Sequence, residues 1–478
     1  MSDAAPVNRG QMRLWPFLPL LLAYGCAVGP NYKRPALDVP ANFRGAPAPP
    51  GTNSLADLPW WGIFKDPTLQ DLIRVALTNN YDLAIAVARV DQAQALLEQN
   101  RAALFPQVGY EGALSRGRNA ILGNPFFSRG ITASTIVGTG TVSWDIDLWG
   151  RIRRLTESAR AQYFASQEAR RDVMLSVVSQ VAQAYFQLLA LDAQLKIAEL
   201  STNSFGESYT IFSQRLEGGV VSKLETSAAE ASLDAAAATV PDFYRQIVLQ
   251  ENLVNVLTGR NPGPVPRNHT LLEEQMPPQV PAGLPSNLLE RRPDVREAEQ
   301  TLRSANAQVG VAVANFFPNL SLTGLLGQVS PELSSFTAGA STAWSALAEV
   351  SGPIFQGGRL VGAYRQAKAA RAEARARYES TLLTAFQEVA NNLTSIQRLA
   401  ETRVQQEKAV RAYQVAVQVA IQRYLAGRAS YYEVLQEQQL LFPSENTLVQ
   451  TELNQLLAVV QLYQALGGGF GADTIPRP

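Results

Sequence analysis

The stretch NYDLAIAVARVDQAQALLEQNRAALFP, residues 80–106, aligns without a gap on RPDVREAEQTLRSANAQVGVAVANFFP, residues 292–318. The match continues later in each half, where Arg215, Gly219, Ser222 and Glu225 correspond to Arg423, Gly427, Ser430 and Glu433. Self-similarity at a fixed offset indicates one structural unit that is used twice. We therefore predict a first repeat at 65–260 and a second repeat at 286–467, with a Pro- and Gly-rich linker at 261–285 between them.

A period-2 alternation of apolar and polar residues follows the Phe-Pro pair that ends each aligned stretch. It predicts strands at about 107–118 and 134–147 in the first repeat, and at about 319–329 and 342–355 in the second. In the first strand Val108, Tyr110 and Leu114 share a face, while Glu111 and Ser115 lie on the other. One apolar face and one small or polar face suit a membrane barrel with lipid outside and water inside.

The pattern then changes to that of unusually long helices, which predicts helical hairpins at 152–258 and 360–466. Met174, Val177 and Val181 begin a series spaced by three and four residues, which is typical of a coiled-coil seam. The polar segment 201–206 is predicted to interrupt the first long helix. The predicted fold is mainly α with a membrane β part, in which a duplicated repeat gives four strands and long coiled-coil helices per chain.

The N-terminus has the form of a secretory signal. Arg9 and Arg13 precede a short apolar stretch, and Cys26 follows Gly25 directly. This order predicts a lipoprotein signal peptide at 1–25, diacylglycerol and an N-acyl chain on Cys26, and an extended linker over 26–64. Residues 468–478 are predicted to be a C-terminal tail. A plain signal peptide with an incidental cysteine is the alternative, because Ala23 stands where lipoprotein signals usually have Leu.

The composition argues against several functional classes. Lys+Arg and Asp+Glu number 41 each, so no net charge favours nucleic acid. With one His and four Met, neither a metal cofactor nor a His-centred catalytic site is expected. A hydrolase built on paired carboxylates is disfavoured as well, because the polar residues follow repeat and capping positions. No apolar run reaches the roughly 18 residues of a spanning helix, so a membrane crossing is expected to use strands.

Four strands do not close a membrane barrel, since the smallest barrels need about eight. Open edges in lipid would leave backbone groups unpaired at several kcal/mol each. The strands are therefore expected to come from several chains. Two chains would give eight strands and a filled interior, whereas three would give twelve strands and a lumen.

Several motifs carry a resemblance to a known family over nearly the whole chain. They are the Cys26–Tyr32 segment CAVGPNY, Trp60-Trp61, the Asp147–Arg151 segment DLWGR, the Arg291–Arg296 segment RRPDVR, Gly357-Gly-Arg359 and the Leu466–Gly469 segment LGGG. In these the chain resembles the TolC-like outer-membrane factors, specifically the NodT-type lipoproteins of resistance-nodulation-division (RND) efflux systems. The resemblance implies a homotrimer in the outer membrane of a Gram-negative bacterium, with a twelve-stranded β-barrel continued by an α-helical barrel. It also implies an acylated N-terminus, export of drugs and other small molecules, and docking to a periplasmic adaptor and an inner-membrane RND transporter.

The resemblance further implies an iris-like periplasmic gate at the turns 216–222 and 425–430. The family's usual acidic gate residue corresponds to Gln436 here, and Gln439 stands where some relatives carry an Arg. The candidate gate residues are Tyr424, Tyr432, Glu433, Gln436 and Glu225, the candidates for contacts between chains are Arg215, Arg423 and Arg428, and the turns expected to meet the adaptor contain Gly218, Gly219 and Gly427.

Two alternatives stay open at this point. For the turn residues, Ser222 with Glu225 and Ser430 with Glu433 also have the spacing of capping boxes, which is a purely structural role. For the whole chain, a TolC-like duct for a type I protein-secretion system and a non-spanning periplasmic scaffold remain as alternative functions.

Overall fold

A computed structural model describes residues 27–45, 54–118, 132–274, 283 and 285–468 of the chain. The predicted signal peptide, Cys26 and nearly all of the predicted C-terminal tail lie outside these residues. The chain divides into two compact units. The first contains Met1–Arg34, Asp91–Phe164 and Gln300–Ala376, and the second contains Pro35–Val90, Ala165–Glu299 and Arg377–Pro478.

The order of elements repeats along the chain. After two short helices, α1 (Trp60–Ile63) and α2 (Pro67–Asn79), the first half runs α3 (Tyr81–Ala102), β1 (Gln107–Arg118), β2 (Thr132–Ile146), α4 (Arg151–Glu217) and α5 (Lys223–Leu257). The second half runs α6 (Leu288–Arg291), α7 (Pro293–Ala314), β3 (Asn319–Ser330), β4 (Thr342–Ser351), α8 (Arg359–Leu425) and α9 (Tyr431–Ala465). Helices α3 and α7 both have 22 residues, α4 and α8 have 67, and α5 and α9 have 35. The equal lengths confirm the duplication.

The four strands of the first unit form one antiparallel sheet in the order β1-β2-β3-β4. Val142 pairs with Val108 on one side and with Gly324 on the other. This register places the predicted apolar residues of neighbouring strands on one face and confirms the alternation. Apolar side chains on that face are exposed, with Tyr110 94% and Trp344 75% accessible. A sheet with an uncovered apolar face fits a lipid environment better than an aqueous one.

Both outer strands of this sheet have an open edge. Among the described strands, β1 pairs only with β2, and β4 pairs only with β3. Strand β4 ends at Ser351, four residues before the expected end, so Ile354 lies beyond the strand. Pro353 has no N–H to donate to a ladder, which explains the early end.

Helix α4 continues without a break through residues 201–206, so the predicted interruption there is wrong. The Thr202 hydroxyl donates to the Ala198 carbonyl at 2.8 Å, one turn back in the same helix. Phe205 is buried and lies against Phe442, with ring centroids 5.5 Å apart. The Thr202 hydroxyl is thus satisfied within the helix, and the packing of Phe205 outweighs the weak helix preference of a Ser- and Thr-rich segment.

The core of the second unit contains the predicted helix seams. Val177, Val181 and Leu188 of α4 are buried, as are Leu382 and Val389 of α8. By length and composition α4 is also the one described helix that could cross a membrane. However, 72% of its most apolar window is buried within the protein, as in a core helix.

A buried ion cluster in the second unit lies where α7 begins. The Arg292 guanidinium, 9% exposed, contacts the Asp294 carboxylate at 2.8 Å and the Glu388 carboxylate at 2.6 Å. It also donates to the Ala465 carbonyl at 3.0 Å. Arg292, Asp294 and Glu388 line a cavity of about 340 Å³. Asp172 lies in the wall of this cavity as well. Burial, together with repulsion from Asp294, raises the pKa of Asp172 to about 6.

A candidate gate at two helical turns

The two turns that join α4 to α5 and α8 to α9 have the same backbone structure. Gly219 (φ 70°) and Gly427 (φ 69°) adopt the left-handed conformation that ends many helices. After α4, the Val220 N–H donates to the Arg215 carbonyl at 2.9 Å. After α8, the Arg428 N–H donates to the Arg423 carbonyl at 2.8 Å. A Cβ on either glycine would meet nothing within 4 Å, so the backbone angle alone favours glycine there.

The helices that follow these turns begin differently. Ser222 and Glu225 form a capping box, in which the Ser222 N–H donates to Glu225 Oε2 at 2.7 Å. Ser430 makes no capping bond through its side chain, so the capping prediction is wrong for the second turn. Glu433 instead pairs with Arg423 Nη1 at 3.2 Å. Arg423, in the last turn of α8, has replaced the serine as the partner of the carboxylate.

An aromatic cluster lies directly behind the turns. Phe212 of α4 is 2% exposed and contacts Tyr431 of α9 and Tyr424 of α8, with ring centroids 3.8 and 5.3 Å away. The apolar residues Ala229, Ala420 and Val434 complete the cluster. Because its members come from all four helices, the cluster holds the two turns together. Sequence analysis missed Phe212 and Tyr431, although Phe205 and Phe212 are one heptad apart, a spacing that marks a continuing seam.

Buried polar atoms accompany these rings. Ser204, Ser208, Tyr424, Tyr431 and Gln438 are among the residues that line a cavity of about 60 Å³. The Gln438 amide donates to the Ser204 hydroxyl at 2.9 Å, while the hydroxyls of Tyr424 and Tyr431 are buried without a hydrogen-bond partner among the described residues. Burial, and next the neighbouring Tyr424, raises the pKa of Tyr431 to about 12, so this phenol stays neutral. Buried hydroxyls without partners weaken the packing of the helices around this cavity.

The remaining candidates lie around the cluster rather than in it. The Arg215 guanidinium sits over the Tyr424 ring, 4.4 Å from its centroid, a cation–π geometry. Arg423 is half-exposed, and its guanidinium donates to the Arg428 carbonyl at 3.4 Å. Tyr432 is 71% exposed. The other exposed candidates are Gln436, Arg428, Gly218, Gly219 and Gly427.

The side chains at the turns are mainly packing groups, with one charged pair at the surface. Within the described ranges, no group of three or more His, Cys, Asp or Glu side chains could hold a metal ion. The buried groups at the turns are aromatic or neutral, whereas the charged pair Arg423–Glu433 is solvent-accessible. Such a site can hold helices together or let them separate.

Comparison with known proteins gives a consistent result over the whole chain. The family model for outer membrane efflux proteins matches the chain in two segments, residues 72–260 and 284–468. The toluene efflux pump outer membrane protein TtgC of Pseudomonas putida is 36% identical over 455 residues, which cover 94% of each chain.

Solved structures agree with this match. The crystal structure of CusC, whose description refers to transmembrane channel formation, is 31% identical with a TM-score of 0.82, and the match covers 93% of this chain and all of that one. The open-state structure of the MtrE outer membrane channel of Neisseria gonorrhoeae is 29% identical with a TM-score of 0.83, and it covers 94% of this chain and all of that one. The fold class predicted from the sequence is thereby confirmed.

Proposed function

The chain belongs to the outer membrane efflux protein family, and from this premise we propose that three copies of it form the exit duct of a tripartite pump. It is an outer-membrane efflux channel whose helical part extends into the periplasm. The duct moves solutes and catalyses no reaction.

The proposed trimer rests on one observation. The sheet has four strands, two open edges and an uncovered apolar face. Unpaired edge groups are not tolerated in lipid. Joining β1 of one copy to β4 of the next removes every edge when the ring closes. Three copies give twelve strands, enough to enclose a water-filled lumen.

Introduced cysteines test this joint. Because the proposed diacylglycerol occupies the Cys26 thiol as a thioether, the wild-type background has no free native thiol, and in it Glu111→Cys on β1 is combined in turn with cysteines at Ser345, Leu347 and Glu349 on β4. Glu111 and these residues lie on the same face of the sheet. We expect one pairing to give covalent dimers and trimers in membranes. Thr141→Cys on the inner strand β2 with Leu347→Cys is the control and should give none. If no edge pair crosslinks between chains, the proposed assembly is wrong.

At the periplasmic end, we propose that the two turns form the gate. The cluster around Phe212 keeps the turns together, and Tyr424 acts through this packing. The exposed side chains of Tyr432 and Gln436, with the Arg423–Glu433 pair and Glu225, surround the opening. Arg215 and Arg428 contact the neighbouring chains. The exposed turns at Gly218, Gly219 and Gly427 are the proposed contact for the periplasmic adaptor, because glycine permits close backbone approach.

The remaining parts of the proposal are the lipid, the partners and the cargo. Cys26 carries diacylglycerol and an N-acyl chain, and the pump partners are the adaptor and an inner-membrane RND transporter. The relatives are named for toluene efflux and cation efflux. We propose organic solutes as the cargo, because the chain has only one His and four Met, which are few ligands for a soft metal ion. Deleting the gene should raise susceptibility to hydrophobic drugs and solvents, and complementation should restore resistance; a defect in protein secretion with unchanged resistance would support the type I alternative.

A further inference from the structure

The first described residues of the chain are held by a buried cation. Arg154 of α4 is 3% exposed. Its guanidinium donates to the carbonyls of Val28 at 3.2 Å, Gly29 at 3.3 Å and Ala27 at 3.4 Å, and to Asn31 Oδ1 at 2.8 Å. Its Nη1 pairs with Glu157, 2.7 Å away. An arginine this deeply buried needs acceptors for all its donors, and the N-terminal segment supplies most of them.

Backbone contacts extend the same interaction on both sides. The Val28 N–H donates to the Trp149 carbonyl at 3.1 Å. Asn306 of α7, which is fully buried, donates through its amide to the Pro30 carbonyl at 2.8 Å. The segment is thus bound mainly through its main chain.

The space around the segment has no room for side chains at three glycine positions. A Cβ on Gly29 would lie 2.5 Å from Gly310 Cα, and Gly29 itself has a φ of 94°. A Cβ on Gly150 would lie 2.6 Å from the Ala27 Cβ. A Cβ on Gly310 would lie 2.9 Å from Arg154 Cδ. Glycines on the segment and on both walls therefore form a slot with room for a main chain only.

Ala27, the first residue in this slot, follows Cys26 directly in the sequence. Consecutive Cα atoms are about 3.8 Å apart. A lipid on Cys26 is therefore joined to the slot by a single peptide unit. Trp149, which accepts from Val28, comes three residues after the end of β2.

We propose that the slot formed by Gly150, Arg154, Asn306 and Gly310 is a docking site for the mature N-terminus, and that it fixes the lipid-bearing residue at the base of the sheet. The lipid then enters the bilayer at a set depth beside the strands. It does not trail on a loose tether. This inference rests on the lipidation of Cys26, which belongs to the proposed function.

Hydrogen–deuterium exchange on the full-length protein in mild detergent tests the docking. Arg154→Met keeps the apolar stem of the side chain but removes the donors, and should speed exchange of the amides at 28–34 at least tenfold. Arg154→Lys restores a charge with fewer, differently placed donors and should fall between the two. Arg160→Met, at an exposed position on the same helix, is the matched control and should leave the segment unchanged.

Gly310→Ala separates docking from general stability. Alanine favours a helix interior, so this change should slow or leave unchanged exchange within α7. The added Cβ displaces the Arg154 side chain, so exchange of the segment should nevertheless rise. Equal protection of residues 28–34 in wild type, Arg154→Met and Gly310→Ala would overturn the docking site.

A synthetic peptide with the sequence of residues 27–34 provides the direct binding test. It should bind to a variant whose residues 27–34 are replaced by a Gly-Ser segment of equal length, and should not bind to wild type, where the slot is filled. A Gly29→Val version of the peptide should not bind to either protein. Binding of both peptides, or of neither, to the replaced chain contradicts the slot. Mass spectrometry of the wild-type N-terminus tests the lipid separately: a protected segment on an unlipidated chain would leave the docking site in place and overturn its role in anchoring.

Discussion

Replacing Phe212 with alanine should open the periplasmic end of the duct. The side chain is 2% exposed and lies between Tyr431 and Tyr424, so truncation removes the ring that connects α4 to α8 and α9. A buried Phe→Ala change costs about 3 to 5 kcal/mol. If that energy acts on closure, it corresponds to a shift of roughly a hundred- to several-thousand-fold toward the open form, at 1.4 kcal/mol per factor of ten.

Phe205→Ala is the matched control. Phe205 is on the same helix, is 6% exposed and contacts Phe442 at 5.5 Å, away from the aromatic cluster at the turns. The two variants should lose comparable thermal stability. Only Phe212→Ala should raise single-channel conductance in planar bilayers and sensitise cells to large hydrophilic antibiotics. Equal conductance in wild type and Phe212→Ala, with the expected loss of stability, would refute the role of the cluster in closure.

Three further predictions concern the backbone and the buried charges. Gly427→Ala should cost about 1 to 2 kcal/mol because of its left-handed φ, whereas Gly112→Ala, which also has open space around it but no positive φ, should be nearly neutral in thermal melts. Arg292→Met should destabilise by about 1 to 3 kcal/mol, measured in denaturant, because it leaves the buried Ala465 carbonyl and the half-buried Asp294 carboxylate without their donor. The pKa of Asp172 is raised from 3.8 to about 6, so the folded protein binds this proton more tightly than the unfolded chain. Stability should therefore rise as pH falls from 7 to 5, and Asp172→Asn should remove about 1 kcal/mol of that rise. A wild-type melting temperature that is flat across this range would contradict the last prediction.

The order of helices and strands could be predicted from the sequence, because it depends on the internal repeat and on the periodic spacing of apolar residues. The duplication placed equivalent helices and strands in the two halves, and the period-2 alternation predicted which residues share a face of the sheet. The register that pairs Val108 with Val142 and Val142 with Gly324 keeps these faces together, but the alternation alone allows any slip by an even number of residues. These are patterns of many residues, so a single unfavourable residue does not hide them.

The continuity of α4 and the cap of α9 could not be predicted in the same way, because both depend on individual contacts. Residues 201–206 have weak helix propensity, and the contact of Phe205 with Phe442, a residue 237 positions along the chain, supports them in the helix. Ser430 and Glu433 have the spacing of a capping box, yet Glu433 pairs with Arg423 and Ser430 makes no capping bond through its side chain. Both results come from tertiary partners that the local sequence does not identify.

The gate illustrates the same limit. The turn glycines and the first capping box are local features, and the sequence placed them correctly. The aromatic cluster joins Phe212 to Tyr431 across more than two hundred residues, and the repeat offers no help because Ala420 occupies the position equivalent to Phe212. The structure therefore points to the aromatic cluster behind the turns, in addition to the charged and polar side chains at the turns themselves.

Native mass spectrometry of the protein extracted from membranes in mild detergent tests the central claim most directly. A closed duct of three copies predicts a trimer, in which each chain begins at Cys26 and is heavier by its lipid. An unlipidated monomer that stays soluble without detergent would contradict the account, because the open strand edges and the exposed apolar face would then have neither a neighbour nor a membrane to cover them.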